Sequence, residues 1–324
     1  MKILNLIKSN LIALINCLRS DYCCIITLHR VTSDVEILSG RSNDQLIVKE
    51  NDLKHFIESH VETGWNFISL DELSHRLKNN ISLNKSISLT SDDGYLDNYL
   101  HLVPLVTKMH VPLTIFISNS FPNRTIKLWW HVLEDAIDWK YGKRDDSSFN
   151  FLFLEYRDIL IEKYSGHYDN FFNDYFDGFL YSWENYAINL CMNWTQVAEI
   201  SKNRLIKIGN HSFNHFPLSM LSDEELKTDI EKSIHDFASH NIANVNSYCY
   251  PFGTLREASL REFNFIKDFG FNIAVTTNQK IVLPLSRLNI HSLPRLNFTT
   301  NLNLNNLVRP IRLIKNFICL NLTN

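Results

Sequence analysis

Three groups of residues in this chain have types and spacings that suit chemistry. The first is Asp92-Asp93-Gly94, inside the run Thr90-Ser91-Asp92-Asp93-Gly94-Tyr95, where a short apolar stretch stops at a turn. Adjacent carboxylates at a strand end repel each other, and a cation, a shared proton or full solvation must offset that repulsion. An ordinary acidic turn would carry the same residues, since Asp and Gly both favour turns. The second group is His211 and His215. On one helical turn two imidazoles at this spacing face the same side and can grip one ion. A chain with 13 histidines also produces such a pair by chance. Taken with Asp93, the pair makes a two-His, one-carboxylate set, which leaves coordination positions open for water and substrate. The third is His29-Arg30, directly after an apolar, β-branched run.

Strands are expected at 23–28, 67–68, 87–90, 113–118, 205–208, 247–250 and 272–276. Between them, helical periodicity or caps predict helices at 52–63, 71–78, 97–109, 222–238 and about 256–268. Ser69 with Glu72, and Ser222 with Glu225, read as capping boxes. Strand and helix thus alternate six or seven times, the pattern of a parallel α/β sheet, open or closed into a barrel. His29, Asp92-Asp93 and His211 all fall at the carboxyl ends of expected strands, where such architectures gather their active sites. A helix is expected to begin at Trp129. Residues from about 140 to 192, rich in Tyr, Phe, Asp and Asn, break the alternation and read as an insertion. Its aromatics would either floor a sugar groove or pack a small core of their own.

The 324 residues suit a single large α/β domain with a substantial core, at 45% hydrophobic and 21% charged. A formal charge of −3 gives no basic field for nucleic acid. The six cysteines form no CxxC pair and no dense framework, so reduced thiols are expected. Residues 1–20 are amphipathic, with Leu4, Ile7, Leu11, Leu14, Ile15 and Leu18 at helical spacing. The stretch is too short and too polar for a spanning helix and lacks a clear cleavage site. It would pack on its own domain or lie on a membrane surface. The segment 301–324 is again basic and apolar. The expected organisation is an N-terminal helix over 1–20, a main domain over 21–300 and this C-terminal segment. The expected location is cytoplasmic or peripheral at the cytoplasmic membrane, with secretion through an atypical signal left open.

The run Thr90–Tyr95 resembles the TFDDGY signature of the polysaccharide deacetylases, also called carbohydrate esterase family 4 or NodB-like proteins. His211-Ser212-x-x-His215 is similar to that family's H-S/T-x-x-H motif, and Tyr250-Pro251-Phe252-Gly253 to its third motif. Order and spacing agree over roughly residues 23–300. The resemblance implies a distorted (β/α)-barrel, a divalent metal (zinc by default, with other ions compatible with such ligands) and hydrolysis of N-acetyl groups on an N-acetylated glycan. It further implies that Asp93, His211 and His215 hold the metal, that Asp92 is the general base, and that the Phe252 N–H, with Tyr250 beside it, meets the developing oxyanion. A general acid is also required. No LxH motif follows residue 270, whereas Leu28-His29-Arg30 resembles the permuted arrangement of poly-N-acetylglucosamine deacetylases. His29 is therefore the expected acid, with His291 as competitor.

Two departures stand out. Ser91 replaces the usual aromatic, with an effect on packing expected. Cys249 occupies the position of a common Arg, while Leu293-Pro294-Arg295 resembles an element that would orient Asp92. Trp129 and Trp130 are candidates for the groove wall. The function expected is metal-dependent deacetylation of a polysaccharide or glycan intermediate in envelope or exopolysaccharide synthesis. A noncatalytic glycan-binding module on the same fold, or a metal amidohydrolase acting on a small molecule, are the alternatives.

Overall fold

The computed structural model describes residues 21–35, 42–142, 146–164, 167–284 and 288–307. The expected helix at 1–20 and the chain beyond 307 lie outside them. Among the described residues, no helix is long and apolar enough to cross a membrane.

Seven parallel strands close into a ring. They are β1 (Cys23–Leu28), β5 (Ser86–Ser91), β6 (Leu113–Ile117), β7 (Ile206–Asn210), β8 (Ser247–Cys249), β9 (Ile273–Gln279) and β10 (Leu293–Asn297). Each pairs in parallel with the next, and β10 returns to β1 through Ile26↔Leu296 and Thr27↔Asn297. The (β/α)-barrel expected from the sequence is thus closed. A short β4 (Asn66–Phe67) adds to the first half of β5, and β6 pairs with its second half. A separate two-stranded pair, β2 (Arg30–Thr32) with β3 (Ile47–Lys49), lies beside the rim.

The sequence explains the strands but hid one of them. β1 is buried on both faces along its whole length, so it reads as an unbroken apolar run. β10 is interrupted by Pro294, which donates no ladder hydrogen bond. The ladder to β9 shifts register between Leu293 and Arg295, and this irregularity accommodates the proline. For that reason no strand is expected at 293–297 from the sequence, although this stretch forms the seventh stave.

Alternate residues of the strands fill the ring. Outward-facing Cys24, Ile26, Leu89 and Ile115 pack with the surrounding helices in the largest apolar cluster. These include α1 (Glu50–Glu62), whereas α2 (Leu70–Lys78) gives Leu70 and Leu73 to a smaller cluster; Ser69 accepts from the Glu72 N–H, one half of the expected capping box. Inward-facing Cys23, Ile25, Phe116, Cys249, Val275 and Leu293 belong to the same smaller cluster. The expected helix at 97–109 is a π-helical turn (Asn98–Leu102) running into α3 (Val103–Lys108), with Pro104 at its start.

Between β6 and β7 the chain makes α4 (Trp129–Tyr141), α5 (Asp146–Ile159), α6 (Tyr168–Tyr175), α7 (Trp183–Leu190) and α8 (Trp194–Ile200). The aromatics of this region mostly pack one another: Phe149, Phe153, Tyr156, Phe171, Phe172 and Phe176 are buried with Val132, Leu133 and Ile137 of α4. Beyond β7 come α9 (Asp223–Ser239), with its expected Ser222–Glu225 capping box, and α10 (Leu260–Asp268).

Two predictions follow from this packing. A Cβ on Gly209 would overlap the Phe116 ring and approach the Ser247 hydroxyl to 2.8 Å inside the ring. Gly209→Ala is expected to cost about 1–3 kcal/mol, read as a fall in melting temperature. The second concerns the last helical turn, α11 (Leu304–Leu307), which docks on α1. Buried His60 gives its Nδ1 proton to the Phe56 carbonyl at 2.7 Å and accepts the Leu304 N–H on Nε2 at 3.2 Å. Burial holds its pKa below the ordinary 6.5. A depressed imidazole adds stability above that ordinary value and loses it as the pH falls through it toward the folded value. Unfolding titrations should show this decline in the wild type, at most about 1.4 kcal/mol per pH unit, and His60→Leu should flatten it.

Candidate active site

Most of the candidate side chains stand at the carboxyl ends of barrel strands. β5 delivers Asp92 and Asp93, β7 leads into His211 and His215, β1 ends before His29, and β8 before Tyr250–Gly253. Asp93 meets both imidazoles: its Oδ1 lies 3.3 Å from His211 Nε2 and 3.2 Å from His215 Nε2. The three ligand atoms lie within 4.8 Å of one another. His211 Nδ1 donates to the Cys249 carbonyl at 2.7 Å, which fixes the tautomer and turns Nε2 toward Asp93.

The histidines do not converge through a helical turn, as their spacing suggested. Residues 211–215 form an irregular loop, with Ser212 at φ 66° and His215 at φ 59°. The loop is held by Asp229 of α9, whose carboxylate accepts the Phe213 N–H at 2.8 Å and the Asn214 N–H at 3.2 Å. Asp229 escaped the sequence reading. Its signal was a carboxylate on the buried stripe of α9, beside Leu226, Ile230 and Ser233. Left-handed backbone recurs in the other loops, at Asp93 (φ 79°) and Phe252 (φ 60°). Such non-glycine conformations cost about 1–3 kcal/mol each and mark sites that the surrounding structure over-determines. Gly253 (φ 56°) has no substitute, because a Cβ there would lie 2.9 Å from the Tyr250 carbonyl oxygen.

Arg295 is the largest side chain sealed inside the ring, at 0% exposure. All five of its donor hydrogens have acceptors. Nη1 and Nη2 each reach one oxygen of Asp92 at 2.7 Å; Thr90 Oγ1, Cys249 Sγ and the Thr276 carbonyl take the rest. The fork orients Asp92. Burial alone would raise the Asp92 pKa. The charge and hydrogen bonds of Arg295 outweigh that and hold it below the usual carboxylate range. Asp93 is likewise buried, and hydrogen bonds from His211 and His215 hold it well below that range.

His29 Nε2 lies 4.0 Å from Asp92 Oδ2, at the mouth of the site. Its backbone carbonyl accepts from Asn98 Nδ2 at 2.7 Å and sits 3.2 Å from Ser91 Oγ, which also bonds Asn98 Oδ1. The Ser91 departure therefore ties the His29 turn to β5 through hydrogen bonds. His291 stands apart: its Nε2 bonds the Phe271 carbonyl at 2.9 Å, and it does not line the central cavity.

That cavity, of about 550 Å³, is lined by His29, Asp92, Asp93, His211 and His215, by Trp129 and Trp130, and by Phe153, Leu154 and Arg157 of α5. Trp130 gives its Nε1 proton to the Tyr95 hydroxyl at 2.9 Å, which in turn lies 3.3 Å from His131 Nε2. Burial pushes His131 down to about 3, so its imidazole is neutral. Phe252 is 45% exposed at the cavity, and its backbone N–H has no hydrogen-bond partner among the described residues. Tyr250 lines the same loop, but its side chain is buried and its hydroxyl is spent on the His291 carbonyl at 2.8 Å.

The family model for polysaccharide deacetylase matches residues 80–272, more than half of the chain. The chain belongs to the polysaccharide deacetylase family. It is therefore a hydrolase, and the matched span carries both the Asp and the His motifs. β1 with His29 and β10 with Arg295 fall outside that span. Among solved structures, the chain is similar to the Streptococcus pyogenes deacetylase PplD in complex with acetate, at 17% identity and TM-score 0.59, over 89% of this chain and 97% of that one. It is also similar to IcaB from Ammonifex degensii, at 16% identity and TM-score 0.56, over 86% and 92%. The BpsB deacetylase domain from Bordetella bronchiseptica follows at 15% and 0.52, over 86% and 96%. At such identities the likeness is one of fold. A comparison with curated proteins finds no match.

The buried fork generates a prediction with two readouts. Arg295→Met strands the Asp92 carboxylate and is expected to cost about 3–5 kcal/mol of stability. Arg295→Lys keeps a charge but loses the fork, so the Asp92 pKa rises. The acid limb of any Asp92-dependent activity should then move to higher pH, measured as a pH–rate profile of the two proteins.

Proposed function

We propose that this family member removes acetyl groups from N-acetylhexosamine units of a glycan, with a divalent metal held by Asp93, His211 and His215. The observation that carries the reading is the convergence of both imidazoles on one Asp93 oxygen, next to an Asp92 held by different partners. The donor set suits a divalent cation, zinc by default. Cys249, Asp93 and Asp92 together outweigh burial and hold the His211 pKa well above the ordinary imidazole value. The same negative field that favours a proton there favours a metal ion, which would displace it.

The ion, when bound, supplies Lewis-acid polarisation of the acetamide carbonyl and makes water easier to deprotonate. The protein's own groups do the rest. Asp92 takes the proton of the attacking water as general base; Arg295, sealed behind it, keeps it ionised and aimed. The Phe252 N–H hydrogen-bonds the carbonyl oxygen as negative charge develops there. His29 gives a proton to the departing amine nitrogen as the C–N bond breaks, releasing acetate and a free amine. Trp129 and Trp130 wall the sugar, while the lodged Tyr250 side chain supports the loop under Phe252.

The reading extends to location. The amphipathic sequence at 1–20 and the basic, apolar C-terminal segment favour action at the cytoplasmic membrane surface, on a glycan of the envelope or an exopolysaccharide.

Metal analysis with an acetate-release assay on N-acetylated glycans tests the chemistry. Asp92→Ala should keep its metal and lose at least about 10²-fold in rate, whereas Asp93→Ala should lose metal and rate together. Metal-loaded wild-type protein that releases no acetate across a broad glycan panel would reverse the reading. Fractionation of tagged protein should find the full chain with membranes and the chain lacking residues 1–20 largely released.

A further inference from the structure

We infer that Asp97 and Arg30 are positioning residues for the proton donor: together they clamp the His29 turn and so set where its imidazole stands beside Asp92. The role of His29 rests on the deacetylase reading above; the clamp itself is a set of contacts. Arg30 follows His29 directly and opens β2, and Asp97 stands just before the π-helical turn. The two Asp97 oxygens have separate tasks. Oδ2 accepts the Arg30 Nε proton at 2.6 Å, and Oδ1 accepts from Asn98 Nδ2 at 3.1 Å. The same Asn98 nitrogen donates to the His29 carbonyl at 2.7 Å. A carboxylate only accepts, so Asp97 dictates which way the Asn98 amide turns: nitrogen toward His29, oxygen toward Ser91.

The peptide that joins His29 to Arg30 is therefore held at its carbonyl through Asn98 and at the next side chain through Arg30, and both ties end on one carboxylate. The Val31 N–H also bonds Asp97. On the other side of His29, the Leu28 carbonyl accepts the Asp92 N–H at 3.0 Å. The chain from 28 to 31 is thus tied to both ends of the segment 92–97, with His29 Nε2 4.0 Å from Asp92 Oδ2. Two observations separate the Arg30–Asp97 pair from an ordinary surface bridge. Its side chains are 15% and 11% exposed, so water and salt screen the attraction weakly, and the Arg30 guanidinium lies 5.2 Å from the centre of the buried Tyr95 ring. Neither residue lines the reaction cavity. They reach the chemistry only through the placement of His29, and a reacting group misplaced by about 1 Å can cost about 10²-fold in rate.

The test separates proton donation from everything else the site does. Amide cleavage needs a proton on the departing amine, whereas 4-nitrophenolate leaves without one. The quantity read is the ratio of kcat/KM for acetate release from an N-acetylglucosamine tetrasaccharide to kcat/KM for 4-nitrophenyl acetate, each corrected for the rate left in Asp93→Ala. Asp97→Asn, nearly isosteric, should lower this ratio by about tenfold or more, in the same direction as His29→Ala. Arg30→Lys, which keeps the charge, should lower it less. The double variant His29→Ala/Asp97→Asn should fall no further than His29→Ala. Melting temperatures check that each protein folds. In parallel, a carbon–proton correlation spectrum of histidine-labelled protein, with His29 assigned by its loss in His29→Ala, should show the His29 ring resonance moved in Asp97→Asn and those of His60 and His291 in place. Amide and ester rates falling in proportion, an unchanged ratio in folded Asp97→Asn, or an unmoved His29 resonance each overturns the inference. If wild-type protein releases acetate from no glycan, the deacetylase reading fails, and the His29 resonance alone decides whether Asp97 positions that turn.

Discussion

The site depends on a guanidinium buried inside a barrel. A charge sealed from water is tolerated only when it is paired and fully hydrogen-bonded. Arg295 meets that condition through Asp92, Thr90, Cys249 and Thr276, each contributed by a strand or strand end of the ring. The interior has been shaped around it. Small residues, Ser86, Ser88 and Gly209 among them, leave space for one aromatic, Phe116, and the guanidinium lies 5.9 Å from the centre of that ring. With Asp92 clamped from below, the only freedom left at the end of β5 is the turn. There Asp93 takes a left-handed conformation, and its carboxylate meets two imidazoles instead of the guanidinium.

The rim is then assembled by loops that do not hold their shapes alone. Asp229 reaches from α9 to brace the His loop, Asn98 and Ser91 pin the His29 turn, and Gly253 makes the bend under Phe252 possible. None of these residues needs to touch a substrate. The helices between β6 and β7 act differently. Most of their aromatics face one another, and only a few, from α4, α5 and the start of α6, reach the cavities. The scaffold thus separates a barrel that fixes reactive groups from a helical annex that shapes the space above them.

Much of this was legible in the sequence, for physical reasons. Strands buried on both faces announce themselves as apolar runs, and Asp92, Asp93, His211 and His215 lie where such runs end. What stayed hidden was set by backbone geometry or by contacts distant in sequence. The spacing of His211 and His215 suggests a helix, while the actual convergence comes from left-handed residues that no periodicity records. β10 was obscured by its proline, and so the burial of Arg295 was obscured with it. The role of Ser91 depends on His29, 62 residues away in the chain, and no local pattern reveals such a pairing.

The closure of the ring has a temporal consequence. His29 follows the first strand of the barrel and Arg295 lies on its last, and those two strands are neighbours. A ribosome therefore releases the candidate acid at the start and the group that holds the candidate base only near the end. Until β10 inserts beside β1, Asp92 lacks the guanidinium fork that Arg295 supplies. The nascent protein can carry both aspartates and both histidines of the motifs and still lack the residue that clamps Asp92.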